Sequence, residues 1–120
     1  MTDLVNKHCK ACEGGVAPLN ADQAHAMLGE VHADWKLNDA GNEISRAFKF
    51  KNYYQTIAFV NASAWVSNQE DHHPDLHLTG YRNVAIEIST HAIGGLSEND
   101  FILAAKIEQL PVELKAAKKK

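Results

Sequence analysis

The chain predicts an α+β fold in which three helices cover one face of a four-stranded antiparallel sheet, ordered helix, strand, strand, helix, strand, strand, helix. Apolar residues recur at helical spacing in three stretches, and they alternate with polar residues in two pairs of shorter stretches joined by turn residues. Helices laid on one face of an antiparallel sheet satisfy both periods at once. At 120 residues the chain is one domain, long enough to bury a core without disulfides or metal.

Residues 1–18 show little periodicity and contain Gly14-Gly15 and Pro18, so they form an N-terminal arm leading into a domain over 19–117. The arm carries both cysteines, Cys9 and Cys12, behind His8. A single Cys-x-x-Cys near a chain end lacks the second ligand pair of a structural zinc site and the strand-then-helix setting of a redox motif. It is read as two reduced, non-catalytic thiols in a mobile arm.

Asn20 is placed to cap a first helix over about 21–32, with Ala24, Met27, Leu28 and Val31 on its apolar face and His25 and His32 in solvent. Trp35 and Leu37 precede the turn 38–42, and Ile44, Arg46, Phe48 and Phe50 alternate after it, which makes a first hairpin. Asn52 caps a second helix whose stripe runs through Ile57, Val60, Ala64 and Ser67, with Phe59 and Trp65 at its edges. Leu76 and Leu78 alternate up to Gly80, and Val84, Ile86 and Ile88 alternate in a longer strand, which makes a second hairpin. If that strand ran on unbroken, His91 would lie on the face opposite its apolar residues, available for chemistry.

Ser97 and Asp100 form a capping-box pattern at the start of a third helix, with Leu96 and Phe101 as its hydrophobic staple. Its stripe is Leu103, Ile107, Leu110 and Leu114, and Pro111 ends or kinks it. The basic tail 118–120 suits a helix C-terminus.

Hydrophobic residues make up 45% and charged residues 22%, ordinary values for a globular domain, and a net charge of −3 argues against nucleic acid as a partner. No apolar run approaches the ~20 residues that span a bilayer, and the first residues lack a signal-peptide pattern, so a cytoplasmic protein with no membrane partner is expected.

The chemistry concentrates between the second and third helices. Pro74 pushes His73 toward an extended backbone, so the second helix ends near Asp71 and the His72 and His73 side chains point to opposite sides. Imidazole is the side chain whose ordinary pKa lies nearest neutrality, which suits it to moving protons. Glu70, Tyr81, His91 and Asp100 complete the candidate polar set, with Asp100 serving as cap, as site residue or as both.

The pattern His72-His73-Pro74, six residues, Tyr81, nine residues, His91, eight residues, Asp100 resembles the signature of the pterin-4a-carbinolamine dehydratases. The likeness extends to Ser89-Thr90-His91, Gly95-Leu96-Ser97 and Asn99-Asp100-Phe101, and more loosely from Trp35 to the end. The His8-Cys9-x-x-Cys12 arm is similar to one in some bacterial members. One position departs: four residues before the first histidine the family usually carries an ionisable residue, and this chain has Asn68. Glu70 offers a carboxylate nearby but is rotated by about 200° on the helix.

The resemblance implies loss of water from a 4a-hydroxytetrahydropterin to give the quinonoid dihydropterin, recycling the cofactor of aromatic amino acid hydroxylases. It implies His72 and His91 as the acid–base pair, with His73, Asp100, Tyr81 and Glu70 as substrate contacts. It further implies no metal or organic cofactor and a homodimer or homotetramer. Two other classes compete with that reading. One is a metal site using His72 or His73, His77 and His91, which lacks a carboxylate or thiolate to complete it. The other is a non-catalytic regulatory or dimerisation module on the same fold.

Overall fold

The structure, a computed structural model, describes residues 4–9 and 17–110. Cys12, Gly14-Gly15, Pro111, Leu114 and the basic tail, for which roles were expected above, lie outside the described residues. The predicted order is observed: α1 (Ala21–Leu28), β1 (Lys36–Leu37), β2 (Ile44–Lys49), α2 (Tyr53–Glu70), β3 (Asp75–Thr79), β4 (Asn83–Ile88) and α3 (Glu98–Glu108), with 3-10 turns at Leu4–Asn6 and His91–Ile93. The sheet is antiparallel, in the order β1-β2-β4-β3.

Each helix begins as its sequence dictates. The Asn20 side chain accepts from the Gln23 amide at 2.8 Å and the Gln23 side chain receives the Asn20 amide at 2.9 Å, a reciprocal box. Asn52 caps α2 through the Gln55 amide, also at 2.8 Å. α1 ends at Leu28 rather than near 32, because Gly29 propagates a helix poorly and the Glu30 and Val31 amides turn back to the Met27 and Leu28 carbonyls.

Pairs Ile44–Ile88, Arg46–Ile86 and Phe48–Val84 set the register of β2 on β4. These six side chains are buried on the helix-covered face. Phe59 of α2 sits 4.7 Å from the Phe48 ring centre and 4.9 Å from that of Phe50, tying helix to sheet. Arg46 is the charged member of this layer. It lies over the Phe48 ring and reaches Glu108, which also accepts from the Trp35 indole at 2.8 Å.

α3 differs from a one-sided amphipathic helix. Phe101, Ile102, Leu103, Ala104, Ala105 and Ile107 are all buried, because α1, α2 and the Leu4–Asn6 turn pack around it. It ends at Glu108, ahead of Pro111.

The buried stripe of α2 corrects the predicted one. Thr56, Phe59, Ser63 and Ser67 face inward, Ile57 and Val60 are half-buried, and Ala64 and Trp65 are exposed. The reason is hydroxyl satisfaction within the helix: Thr56 Oγ1 donates to the Asn52 carbonyl and Ser67 Oγ to the Ser63 carbonyl, both at 2.8 Å. Thr56 and Ser67, satisfied this way, line the packed face beside Ser63, whose buried hydroxyl finds no partner among the described residues.

The arm is likewise corrected over its described part. Leu4 is 2% exposed and belongs to the core, so residues 4–9 are docked on the domain rather than mobile.

Candidate active site

α2 stops in a Schellman motif: the Asp71 amide donates to the Asn68 carbonyl at 3.2 Å and the His72 amide to the Ser67 carbonyl at 3.1 Å. Asp71 takes the left-handed conformation that closes this motif, with φ 53° and ψ 41°. The chain leaves with His72 fixed against α3 and His73 exposed, the divergence that Pro74 predicts.

His72 Nε2 lies 2.6 Å from Asp100 Oδ1, and its side chain is 11% exposed. Asp100 is fully buried and uses both oxygens, because Oδ2 accepts from Thr90 Oγ1 and from the Ser97 amide, each at 2.8 Å. The predicted cap is present, and where a substrate contact is expected the same carboxylate instead holds His72. A carboxylate only accepts, so the bond places a proton on His72 Nε2 and leaves Nδ1 as the second ring nitrogen.

His91 reaches the same place by a route that corrects its predicted strand position. β4 stops at Ile88, Thr90 and Gly95 exchange backbone bonds, and His91 opens a tight 3-10 turn closed by Gly94 at φ 65°. The backbone pairing with Gly95 pulls the chain out of the sheet before His91. Thr90, quoted in the resemblance but given no role there, links this turn to Asp100.

These elements enclose a cleft of about 680 Å³, in the range of small-molecule sites. His72, His73 and His91 line it together with Thr90, Glu70 and two arm residues, His8 and Cys9. Tyr81 does not join them. It sits exposed in the β3–β4 turn with φ 55°, its hydroxyl accepting from Arg82 at 2.6 Å. The hairpin turn carries it away from the ends of α2 and β4, where the cleft forms. His77 pairs with Glu87 on the sheet, also outside the cleft.

Glu70 lines the cleft, but its carboxylate turns toward the arm, accepting from the Cys9 amide at 2.7 Å and meeting His8 Nδ1 at 3.2 Å and Lys106 Nζ at 3.6 Å. Burial works to raise this carboxyl, yet the Cys9 amide, the His8 ring and the Lys106 ammonium together hold it below its usual range. The Cys9 thiol moves the other way, pushed up to about 12 by burial and then by the Glu70 and Asp100 charges. It is therefore a packed thiol rather than a nucleophile. Among the described residues, no three His, Cys, Asp or Glu side chains converge as a metal site, His72, His73, His77 and His91 included.

Residues 17–110 match the family described as pterin 4 alpha carbinolamine dehydratase. A protein of Nitrosomonas eutropha named "Putative pterin-4-alpha-carbinolamine dehydratase" is 59% identical over 108 residues, covering 90% of this chain and 93% of its own. One of the same name from Legionella pneumophila is 48% identical over 112 residues, covering 93% and 98%. The crystal structure of a transcriptional coactivator/pterin dehydratase from Brucella melitensis superposes with a TM-score of 0.70 at 27% identity, covering 76% of this chain and 95% of that one. A pterin dehydratase-like protein described as a RuBisCO assembly factor in the alpha-carboxysome superposes at 0.55, also at 27% identity, covering 64% and 88%. With the three histidines in one cleft and the match running from Ala17 to Leu110, the chain belongs to the pterin-4α-carbinolamine dehydratase family.

Proposed function

We propose that this protein dehydrates 4a-hydroxytetrahydropterins, the 4a-hydroxytetrahydrobiopterin of cofactor recycling among them, in the cytoplasm and without metal or organic cofactor. The observation that carries the reading is the His72–Asp100 bond in a cleft shared with His73 and His91. In the reaction the C4a–O bond breaks, the hydroxyl leaves as water, N5 loses its proton, and the C4a–N5 double bond of the quinonoid product forms. One group must protonate the departing oxygen and another must accept the N5 proton.

His72 is the base. With Nε2 committed to Asp100, Nδ1 takes the proton, and the buried carboxylate stabilises the imidazolium that results. His91 is the acid, presented by a tight turn, and the exposed His73 holds the substrate. Proton transfer of this kind contributes roughly 10²–10⁴-fold, enough for a reaction that proceeds slowly in water.

The test follows the disappearance of a 4a-hydroxytetrahydropterin produced in situ by an aromatic amino acid hydroxylase. His72→Ala and His91→Ala are each expected to lower turnover by about tenfold or more with the fold intact. Wild-type rates in both variants would remove the acid–base assignment.

A second reading, a regulatory or protein-binding module, draws on the coactivator and assembly-factor descriptions of the two superposing structures. It also draws on the exposed aromatic residues of α2, Tyr54 at 82% and Trp65 at 64%. The same face suits a homodimer or homotetramer, which we propose as the working form.

A further inference from the structure

Residues 4–9 form a strap rather than a tail. Leu4 is sunk in the core, Lys106 Nζ donates to the Val5 carbonyl at 2.8 Å, Lys7 pairs with Glu98 at 2.6 Å, and Cys9 is held at both ends, its amide on Glu70 and its thiol on the Asn99 carbonyl. Those anchors come from the end of α2 and from α3, the elements that fix His72. The strap therefore stands in a constant relation to the catalytic histidines. His8 projects from it at the cleft, with its side chain 82% exposed and Nδ1 engaged by Glu70.

Exposure orders the cleft from floor to mouth. Asp100 and Thr90 are buried beneath His72, while His8 stands at the rim. A tetrahydropterin reacting at C4a and N5 places its bicyclic ring against the half-buried His72, with His91 beside it, and the substituent beside N5 then extends toward the mouth. In natural reduced pterins that substituent is a short hydroxylated chain. With Nδ1 occupied, His8 Nε2 accepts from a hydroxyl when the ring is neutral and donates to one when it is charged.

We propose that His8 is a specificity-determining residue that hydrogen-bonds the hydroxylated side chain of the substrate, with Glu70 as the positioning residue that fixes its ring. The proposal rests on the dehydratase reading above. It revises the expected role of Glu70, which touches His8 rather than the pterin.

The experiment compares two substrates, 4a-hydroxytetrahydrobiopterin, which carries a dihydroxypropyl chain, and its 6-methyl counterpart, whose side chain offers no hydroxyl. His8→Ala is expected to raise KM for the first by about 2- to 10-fold, the worth of one hydrogen bond, with kcat nearly constant and the 6-methyl KM unchanged. His8→Gln, which restores a hydrogen-bonding group, recovers part of the loss, and Glu70→Gln shifts the same substrate in the same direction. Equal KM values in wild type and His8→Ala, or equal shifts for both substrates, would overturn the role of His8 and leave the dehydratase reading standing. A wild-type protein that neither turns over nor binds either pterin would overturn both.

Discussion

At the scale of single residues, the proposed chemistry turns on Asp100, whose cap of α3 and bond to His72 draw on the same pair of oxygens. Replacing it with Asn keeps the shape but turns one oxygen into a donor that faces His72, Thr90 or the Ser97 amide. Asp100→Asn is expected to cost about 1–3 kcal/mol of stability and to reduce turnover by about 10² or more, measured by thermal melting and by the dehydration assay. Unchanged kcat would show that His72 needs no orienting partner. The cap role of Asp100 was legible through its spacing from Ser97, whereas its bond to His72, 28 residues away, was not. Glu70 was legible only as a nearby carboxylate, since its partners His8 and Cys9 are about sixty residues away in the chain and nothing in their spacing announces the contact. That contact has a pH signature. The Glu70 carboxyl is held below its ordinary value, so its share of strap docking is fully present above the usual glutamate range near 4.3 and is lost as pH falls through the lowered value. Cys9 reports it. With the thiol raised from 9.0 to about 12, it holds on the order of 10³-fold less thiolate than an ordinary cysteine, and labelling at neutral pH is slow. In a Cys12→Ser background, a disulfide reagent active in acid should label Cys9 faster below pH 4 than at pH 6. Glu70→Gln should label faster than wild type at pH 6, with the difference closing in acid, and a pH-independent wild-type rate would count against the Glu70 anchor.

At the scale of elements, the helix starts were written in local sequence and the packing faces were not. Asn20, Asn52 and Ser97 stand beside the amides they cap, so their signals are read within four residues. Which side of α2 is buried depends on what lies against it: of the predicted stripe Ser67 is buried, while Thr56 and Ser63 take the place of the more apolar Ile57 and Ala64. The end of α2 holds its own test. Asp71 adopts a left-handed backbone that costs a residue with a Cβ about 1 kcal/mol and glycine almost nothing, and Asp is among the residues that tolerate it. Asp71→Gly is expected to hold or raise the melting temperature. Asp71→Val, β-branched and ill-suited to positive φ, should lower stability by about 1–2 kcal/mol and reduce turnover by displacing His72. Equal melting temperatures for the two variants would mean that α2 ends by some other geometry.

At the scale of the whole molecule, alternation identified four strands but not their order, because β4 passes between β2 and β3 through pairings that only the folded core selects. The same limit applies to assembly. Tyr54, Ile57, Asn61, Trp65 and Asn68 recur at spacings of three and four along α2, on the side away from Phe59. Tyr54 and Trp65 are largely exposed there, Tyr53 is 55% exposed beside them, and Ile57 is half-buried. A soluble domain rarely leaves several large aromatic side chains on one helix face in water unless something covers them. Phe59, on the inner side, keeps α2 attached to the sheet, so charge can be placed on the outer face without opening the core. Light scattering on the purified protein should give the mass of a dimer or tetramer, and the pair Tyr54→Lys and Trp65→Lys should lower that mass while the melting transition stays cooperative. The cleft is lined within one chain, so the smaller species should retain measurable dehydratase turnover. An unchanged mass in the double variant would move the interface elsewhere, to the exposed edge strand β3. A wild-type monomer at high concentration would leave the aromatic face to a different protein and give weight to the regulatory reading.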